Sequence, residues 1–149
     1  MTKKAKKVVM VSGGFDPLHI GHVRYMQASR ALGDKLMVVV NNDNWFALKG
    51  KNVFMHDKER KEIIQALTCV DEVVISGHSK NTKDISVCKA IQKIKPHVFA
   101  NGGDRFADNI PEFQLCKKLG IEMAFNVGHG GKVRSSSELL KKYSKKIKK

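Results

Sequence analysis

The stretch VVMVSGGFDPLHIGH, residues 8–22, carries more structural information than any other part of the chain. Its start, Val8–Ser12, predicts a β-strand, and the glycines and polar residues that follow predict a turn into a helix. Such a turn collects unpaired backbone N–H groups and the positive end of a helix dipole, which together bind phosphate. His19 and His22 stand three residues apart, so both side chains leave one face of the first helical turn. The pattern therefore predicts a phosphate-binding turn.

The residues around the two histidines fit the same interpretation. Gly21 places no side chain between them, while Gly13 and Gly14 allow the incoming backbone to turn tightly. Together with Phe15 and Asp16, these glycines are candidate nucleotide-binding residues. A single histidine more often packs in a core or caps a helix, but two histidines on either side of a glycine at such a turn favour a functional site.

Length and composition indicate one globular domain. The chain has 149 residues, of which 42% are hydrophobic and 28% charged, as is typical of a domain that builds its own core. Lysines cluster at both ends, so we divide the chain into a basic N-terminal tail, residues 1–7, a folded domain, residues 8–140, and a basic C-terminal tail, residues 141–149. We find no internal repeat.

The net charge of +14 comes mostly from the two tails. Ten of the 28 basic residues are lysines in the first seven and last nine positions, and the remaining 18 exceed the 14 acidic residues by only four. Lysine tails can hold RNA or an anionic membrane nonspecifically, but more often they only keep a protein soluble. Aromatic residues, at 7%, fall mostly at predicted core positions, so we do not expect binding to nucleic acid.

The cysteines and the apolar runs bear on location. Cys69, Cys88 and Cys116 fall in predicted helical stretches and show no metal-ligand spacing, which is typical of reduced thiols in a cytoplasmic protein. No run approaches the roughly 20 apolar residues that a membrane span needs, and no secretory leader opens the chain. We therefore expect a cytoplasmic protein without a membrane span.

Strand-like and helix-like periods alternate along the chain. Besides Val8–Ser12, the predicted strands are Leu36–Val40, Glu72–Ile75, Val98–Ala100 and an alternating segment, Ile121–Val127. Five helices are predicted between and after these strands. The first has its apolar face at Tyr25 and Ala28, and the second is capped by Asp57 and includes Leu67 and Val70. The third runs through Val87–Ile94, the fourth begins near Pro111, and the last begins at Ser135, where Glu138 completes a capping box.

Apolar strands separated by amphipathic helices indicate a parallel sheet that is covered on both faces. The predicted fold class is therefore α/β, a single Rossmann-like doubly wound domain with a parallel five-stranded sheet. Ligands of such folds bind outside the carboxyl ends of the strands. The chemically distinctive segments obey this rule, because residues 13–22, 41–51, 101–105 and 128–137 each follow a predicted strand.

The motif His-Ile-Gly-His at residues 19–22 resembles the H-x-G-H signature of the cytidylyltransferase-like nucleotidyltransferases. The same residues match the signature of class I aminoacyl-tRNA synthetases, but 149 residues leave no room for the parts of a synthetase that recognise tRNA. The resemblance to the smaller enzymes extends from Val8 to Leu140. It implies transfer of a nucleoside monophosphate from CTP or ATP to a phosphorylated small-molecule acceptor, release of pyrophosphate, Mg²⁺ as a cofactor and an assembly that is commonly a homodimer.

The resemblance also implies roles for single residues. His19, His22 and Lys49 would be catalytic, because in this family the histidines hold the α-phosphate and a loop lysine reaches the polyphosphate. Lys51 is a near-equal candidate for that lysine and is assigned to substrate binding. Arg60, in the Glu-Arg pair of the next helix, is assigned to substrate binding or positioning, although an arginine in a first helical turn often pairs with a nearby carboxylate. We assign no residue as a metal ligand.

Two further segments resemble a nucleotide site. Gly103 and Asp104 belong to the turn NGGDR, residues 101–105. Backbone groups could read a nucleotide there and Asp104 could hold ribose or a metal ion, although a plain turn explains this sequence nearly as well. The segment that receives the triphosphate in the family corresponds here to Arg134, Ser135, Ser136 and Ser137. Three adjacent serines exceed what a helix cap requires, so we expect them to contact the ligand.

The nucleotide and the acceptor stay open. The stretch GGKVRSSS, residues 130–137, lacks the arginine and threonine that choline- and glycerol-phosphate cytidylyltransferases carry there, while Lys132 or Arg134 offers charge from a shifted position. Residues 41–50 and 101–104 look closer to the adenylyltransferase domain that activates heptose 1-phosphates. The residues that are candidates to line an acceptor pocket are Trp45, Phe46 and His56.

Two other classes of function compete with the enzyme. A noncatalytic nucleotide-binding sensor would keep the glycine-rich turns but would need neither histidine. An RNA-binding module would use the lysine tails. Release of pyrophosphate from a nucleotide distinguishes the enzyme from the sensor, and RNA affinity after removal of the tails tests the third class.

Overall fold

The structure, a computed structural model, describes residues 5–102, 110–128 and 136–147. Strands and helices alternate along the chain, with two consecutive helices after the second strand. The elements are β1 (Val8–Gly13), α1 (Ile20–Arg30), β2 (Lys35–Val40), α2 (Asp43–Leu48), α3 (Asp57–Gln65), β3 (Glu72–Ile75), α4 (Cys88–Ile94), β4 (Val98–Ala100), α5 (Glu112–Leu119), β5 (Glu122–Ala124) and α6 (Ser136–Ile147).

The five strands form one parallel sheet in the order β3-β2-β1-β4-β5. In the centre, Val9 of β1 lies opposite Leu36 of β2 on one side and Val98 of β4 on the other. The chain winds from β1 outward to β3 and then returns to the other side of β1 for β4 and β5. This topology confirms the predicted α/β, Rossmann-like doubly wound fold. The change of direction beside β1 is the place where such folds bind ligands.

Helices cover both faces of the sheet because successive strand residues point to opposite sides. On the face covered by α1 and α3, Val9 belongs to a buried cluster that includes Met26. On the face covered by α4 and α5, Met10 belongs to a second buried cluster that includes Ile91 and Cys116. The two clusters hold the sheet rigid, so the segments at the carboxyl ends of the strands start from fixed positions.

The boundaries of α3 differ from the sequence prediction. The helix begins at Asp57, but the cap position is His56, and the capping hydrogen bond expected from the Asp57 side chain is not made. The helix ends at Gln65, so Leu67 and Val70 lie in the turn that follows it. Both residues still pack against the core, because an apolar residue just beyond a helix end can cover the same face as the helix.

The end of the chain also differs. β5 spans Glu122–Ala124 and not the whole alternating segment to Val127. The cap expected at Ser135 lies outside the described residues, and α6 continues to Ile147. The segment assigned as a C-terminal tail therefore begins inside a helix.

The three cysteines are free thiols. Cys116 is buried in α5, whereas Cys88, at the start of α4, and Cys69 are half-buried. The sequence predicts a helical position for Cys69, but Cys69 lies in the turn after α3. Burial raises the pKa of the Cys116 thiol to about 11, and the neighbouring Glu112 carboxylate adds to the increase. This thiol therefore stays protonated near neutral pH.

Within residues 5–102, 110–128 and 136–147, no helix has the length and apolar character needed to cross a lipid bilayer.

Candidate active site

A cavity of about 660 Å³ opens at the carboxyl edge of the sheet. Its wall includes residues that follow β1, β2, β4 and β5, as the sequence predicted, and also residues between β3 and α4. The predicted site residues in the wall are Gly13, Gly14, Phe15, Asp16, His19, Gly21, His22, Lys49, Lys51, Ser136 and Ser137. Four others, Gly103, Asp104, Arg134 and Ser135, lie outside the described residues, and Arg60 lies behind the wall.

The two histidines cap the first helix. His19 is the N-cap of α1, and its Nδ1 accepts a hydrogen bond from the backbone N–H of Gly21 at 3.1 Å. His22 is the third helical residue, and its Nδ1 accepts a hydrogen bond from the backbone N–H of His19 at 3.2 Å. This reciprocal pair is a capping box made from imidazole rings. The capping role and the functional role that the sequence set against each other are thus compatible in the same residues.

The caps also determine which ring nitrogen carries the proton. An Nδ1 that accepts a hydrogen bond has no proton, so the neutral ring carries its proton on Nε2. Both imidazoles, which line the cavity, therefore have Nε2–H as their donor group. The rings of His19 and His22 are stacked, with centroids 3.6 Å apart and planes 20° from parallel. The stack makes two donors into one rigid unit.

An aromatic ring supports this unit from the histidine turn, which we define as residues 13–22. Phe15 is buried, and its ring meets that of His22 edge-on, with the centroids 4.9 Å apart. Phe15 has a φ of 54°, in the region that favours glycine, so the tight turn is made here and not at Gly13 or Gly14. The glycines instead leave room for aromatic rings, because a Cβ on Gly13 would lie 2.8 Å from the Phe15 ring and one on Gly14 would lie 2.6 Å from the Phe46 ring.

Asp16 ties the histidine turn to the segment between α2 and α3. Its buried carboxylate accepts hydrogen bonds from the backbone N–H groups of Phe54 and Met55, each at 2.7 Å. The two bonds engage different oxygens of the carboxylate. Asp16 therefore orders one side of the cavity, and its direct contact with a nucleotide stays a prediction.

Arg60 of α3 is 1% exposed and joins three segments of the chain. Its guanidinium donates to the carbonyl oxygens of Gly14 at 2.8 Å, Asn41 at 2.6 Å and Met55 at 2.8 Å. A fourth hydrogen bond, at 2.7 Å, joins it to the carboxylate of Asp43. Because these donors point into the protein, the structure favours the positioning role of Arg60 over contact with a substrate.

The carboxylate that meets Arg60 has further partners. Asp43 accepts a hydrogen bond from the backbone N–H of Asp57 at 3.0 Å, and its other oxygen lies 3.1 Å from Nδ1 of His56. Partial burial opposes ionisation of Asp43, but the hydrogen bonds from His56 and Arg60 and the charge of Arg60 outweigh it and lower its pKa. His56 is thus engaged outside the cavity wall, contrary to the expectation that it lines an acceptor pocket.

The short helix α2, which the sequence does not predict, carries a lysine to the cavity. Asn42 caps this helix, because its side-chain oxygen accepts a hydrogen bond from the backbone N–H of Trp45 at 3.0 Å. Lys49 ends the helix, and its ammonium nitrogen lies 4.5 Å from the centroid of the Trp45 ring. Lys51, Trp45 and Phe46 also line the cavity, and their contact with an acceptor or another substrate stays a prediction. Both candidate lysines therefore reach the same cavity as the histidines.

The last helix begins at the cavity. Ser136 and Ser137 line the wall, and the hydroxyl of Ser136 donates to the carbonyl oxygen of Pro17 at 2.8 Å. This bond joins the start of α6 to the histidine turn. Gly128, with a φ of 102°, approaches α1 so closely that a Cβ would lie 3.4 Å from the Cα of Tyr25. Ser136 therefore contacts the histidine turn, and Gly128 contacts α1.

Several residues of the wall are missed by sequence reasoning. Glu112 is 1% exposed and accepts a hydrogen bond from the backbone N–H of Val87 at 3.1 Å, yet in the sequence it is only an acidic residue in a first helical turn. Ile85 and Val87 lie in a polar stretch without a chemical signal. Asn41 is 4% exposed, and its side-chain oxygen has no hydrogen-bond partner among the described residues; its position directly after β2 was the available signal.

The donor set bears on how a divalent cation would be held. The described residues contain no group of three or more histidine, cysteine, aspartate or glutamate side chains placed to bind a metal ion. The wall carboxylates, Asp16 and Glu112, already accept hydrogen bonds from backbone N–H groups. Among the described residues this donor set forms no protein cage, so a divalent cation would be held here mainly by nucleotide phosphates and water.

Comparison with known proteins gives agreement over most of the chain. The family model described as cytidylyltransferase-like matches residues 10–139. The bifunctional protein HldE of Pelobacter propionicus is 33% identical over 145 residues, which cover 95% of this chain and 28% of that protein. The FAD synthase of Picrophilus torridus is 28% identical over 133 residues, which cover 88% of this chain and 91% of that protein. The chain spans about a quarter of the length of its bifunctional relatives.

A solved structure agrees as well. The lipopolysaccharide core biosynthesis protein from Thermoplasma volcanium superposes with a TM-score of 0.65 at 31% identity, covering 81% of this chain and 94% of that one. The family match runs from within β1 into α6 and includes all the described residues that line the cavity except Leu140. The chain thus belongs to the cytidylyltransferase-like family of nucleotidyltransferases.

Proposed function

We propose that the protein transfers a nucleoside monophosphate from CTP or ATP to a phosphorylated small-molecule acceptor and releases pyrophosphate. The observation that carries this proposal is the pair of stacked histidines at the start of α1, whose Nε2–H donors belong to a cavity that two lysines and three serines also line. A wall rich in donors suits phosphoryl transfer, in which catalysis is mostly positioning and neutralisation of charge. A volume of about 660 Å³ also accommodates a nucleotide.

The acceptor phosphate supplies the nucleophile in this mechanism. One of its oxygens attacks the α-phosphorus of the bound triphosphate, and the bond from that phosphorus to the oxygen bridging to the β-phosphate breaks, so pyrophosphate leaves. The attacking oxygen is already an anion near neutral pH, so no general base is needed. The Nε2–H groups of His19 and His22 donate to the α-phosphate oxygens, which gain charge in the transition state.

The other phosphates meet the remaining donors of the wall. Lys49, Ser136 and Ser137 hold the β- and γ-phosphates, and Lys51 binds the substrate nearby. When bound, Mg²⁺ neutralises part of the charge of these phosphates. The contacts assigned to Gly103, Asp104, Arg134 and Ser135 remain predictions of the same kind.

Two classes of acceptor are favoured by the comparisons and the sequence. The resemblance of residues 41–50 and 101–104 to heptose 1-phosphate adenylyltransferases favours a sugar 1-phosphate with ATP. The similarity to an FAD synthase over 88% of this chain favours a flavin phosphate with ATP. CTP stays as the alternative nucleotide, because the overall family is named for that chemistry.

A pyrophosphate-release assay tests the proposed reaction. The purified protein is incubated with Mg²⁺ and either ATP or CTP against sugar 1-phosphates, flavin phosphate, glycerol 3-phosphate, phosphocholine and pantetheine phosphate. We expect release with one nucleotide and one acceptor class. Nucleotide binding by calorimetry with no release for any pair would instead point to an acceptor outside this panel or to the noncatalytic sensor.

Location and assembly follow as secondary proposals. The free thiols of all three cysteines agree with a cytoplasmic protein. A homodimer is expected from the family resemblance, and light scattering on the purified protein measures it directly.

A further inference from the structure

Trp45 is held in place by contacts from three parts of the site. Its indole N–H donates to the carbonyl oxygen of Ile85 at 3.0 Å, and its ring meets the Phe46 ring edge-on, with the centroids 5.0 Å apart. A Cβ on Gly14 would lie 3.3 Å from the indole, so the ring also packs close to the histidine turn. The indole is therefore a fixed platform in the cavity wall.

Lys49 uses this platform. Residues four apart on a helix share one face, and the ammonium nitrogen of Lys49 lies 4.5 Å from the centroid of the Trp45 ring. That distance is within the range of a cation–π interaction. The backbone N–H of Lys49 also bonds to the carbonyl oxygen of Trp45 at 3.2 Å. The same N–H bonds to the carbonyl oxygen of Phe46 at 3.1 Å, so the backbone of Lys49 is fixed at the end of α2 while the Trp45 ring contacts its ammonium. These contacts limit the conformations of a long and otherwise flexible side chain.

From this geometry we propose that Trp45 is a positioning residue that holds the Lys49 ammonium where it meets a phosphate group of the substrate. The inference rests on the proposed function, because it concerns the lysine assigned to the phosphates. An ammonium that is already placed loses less conformational freedom when a phosphate binds, so binding and turnover both improve.

The same contact makes the indole a reporter of the site. Trp45 is the single tryptophan of the chain, so intrinsic fluorescence excited at the indole band comes from this position alone. A phosphate that draws the ammonium away from the ring changes the surroundings of the indole. Fluorescence therefore follows the Lys49 contact without any need for turnover.

A double-mutant cycle tests the positioning role. We expect Trp45→Leu to lower kcat/KM by about fivefold, the scale of one cation–π contact, and by less than about twofold in a Lys49→Met background. Trp45→Phe keeps an aromatic face and loses the indole N–H, so it should stay within about twofold of the wild-type protein. Equal losses from Trp45→Leu in both backgrounds, or a Trp45→Phe variant as impaired as Trp45→Leu, would overturn the proposal.

Two matched variants separate positioning from general damage. In a Lys51→Met background, Trp45→Leu should still lower kcat/KM about fivefold, because the ammonium over the Trp45 ring is that of Lys49 and not that of Lys51. Tyr143→Leu removes an aromatic ring of α6 that is 63% exposed and absent from the cavity wall, and it should change neither kcat nor KM. Circular dichroism of every variant shows that the fold is retained.

A fluorescence titration keeps this inference distinct from the proposed function. Inorganic tripolyphosphate added to the wild-type protein should change the Trp45 emission in a saturable way, and Lys49→Met should abolish the change. If no substrate pair releases pyrophosphate but this Lys49-dependent change occurs, the reaction is wrong and the positioning role stands. If turnover occurs but tripolyphosphate leaves the emission of the wild-type protein unaltered, the positioning role is wrong and the reaction stands.

Discussion

At the scale of single residues, the two ring nitrogens of His19 have different functions. Its Nδ1 accepts the hydrogen bond that starts α1, and this bond leaves Nε2–H as the donor group of the neutral imidazole. Replacement by alanine would remove the cap and the donor together, so a loss of activity would not say which one matters. Asparagine is a good N-cap but cannot supply a ring donor at the same place, which makes it the informative substitution.

We expect His19→Asn to lower kcat by about 100-fold, the scale for loss of one transition-state donor, while stability stays within about 0.5 kcal/mol. Pyrophosphate release and urea unfolding measure the two effects. His97→Asn is a matched control, because the Nδ1 of His97 also accepts a backbone N–H, from Val8 at 2.9 Å, outside the cavity wall. An unchanged kcat in His19→Asn would exclude His19 as a catalytic donor.

Asp43 provides a pH-dependent contribution to stability. Because its pKa is lowered in the folded protein, its carboxylate stabilises the fold above the unfolded value, near 3.8, and this contribution is lost as the pH falls through the lower folded value. We expect Asp43→Asn to unfold more easily than the wild type at pH 7, by about 1–3 kcal/mol. The difference should shrink below pH 4. A constant difference between pH 7 and pH 3 in urea unfolding would contradict this account, and Glu62→Gln, an exposed change in α3, serves as the control.

At the scale of elements, the strands are easier to predict than the helix that matters most for the lysines. β1 and β2 contain the apolar runs Val8–Val11 and Leu36–Val40, and their strand character follows from composition alone. α2 also has six residues, too few for a 3.6-residue period to emerge, and its cap at Asn42 looks like an ordinary loop residue. β5 is short because it pairs with β4, which itself has only three residues.

The contact between α6 and the histidine turn leads to a prediction about how these two parts of the fold bind the nucleotide together. Ser136→Ala removes the hydroxyl that donates to the carbonyl oxygen of Pro17. We expect the nucleotide KM to rise about threefold to tenfold, because a lost hydrogen bond of about 1 kcal/mol loosens two elements that hold the phosphates. Steady-state kinetics measure the change, and Ser144→Ala, in the exposed part of the same helix, should leave KM unaltered. Equal effects of the two substitutions would contradict a specific role for the contact.

At the scale of the whole molecule, lysines that contribute to the net positive charge lie outside the cavity wall. Lys141, Lys142 and Lys145 are exposed on α6 and absent from the cavity wall. We expect their joint replacement by glutamine to leave kcat/KM within about twofold and to lower any nonspecific, salt-dependent retention of RNA by the lysines. Filter binding at several salt concentrations measures the second effect. A large loss of turnover would instead place the C-terminal half of α6 in the site.

The sequence predicts the whole molecule better than it predicts the contacts of the site. The histidine turn could be found because it lies at a local junction of a strand and a helix. By contrast, Asp16 reaches Phe54 across 38 positions and Arg60 reaches Gly14 across 46. No local period or motif encodes such pairs, because the partners become neighbours only after the sheet has formed. Glu112 could not be predicted for the same reason, because its hydrogen-bond partner, Val87, lies 25 positions earlier in the chain.

The contacts of Arg60 affect how the protein unfolds. Its buried guanidinium is satisfied only while the ends of β1 and β2 and the segment before α3 all remain in place. Release of one segment would leave a buried cation with missing partners, which is costly, so the three should come apart together. Local opening of this wall is then suppressed in favour of one cooperative transition. The temperature at which the protein loses its bound ligand should therefore coincide with the temperature at which the sheet unfolds.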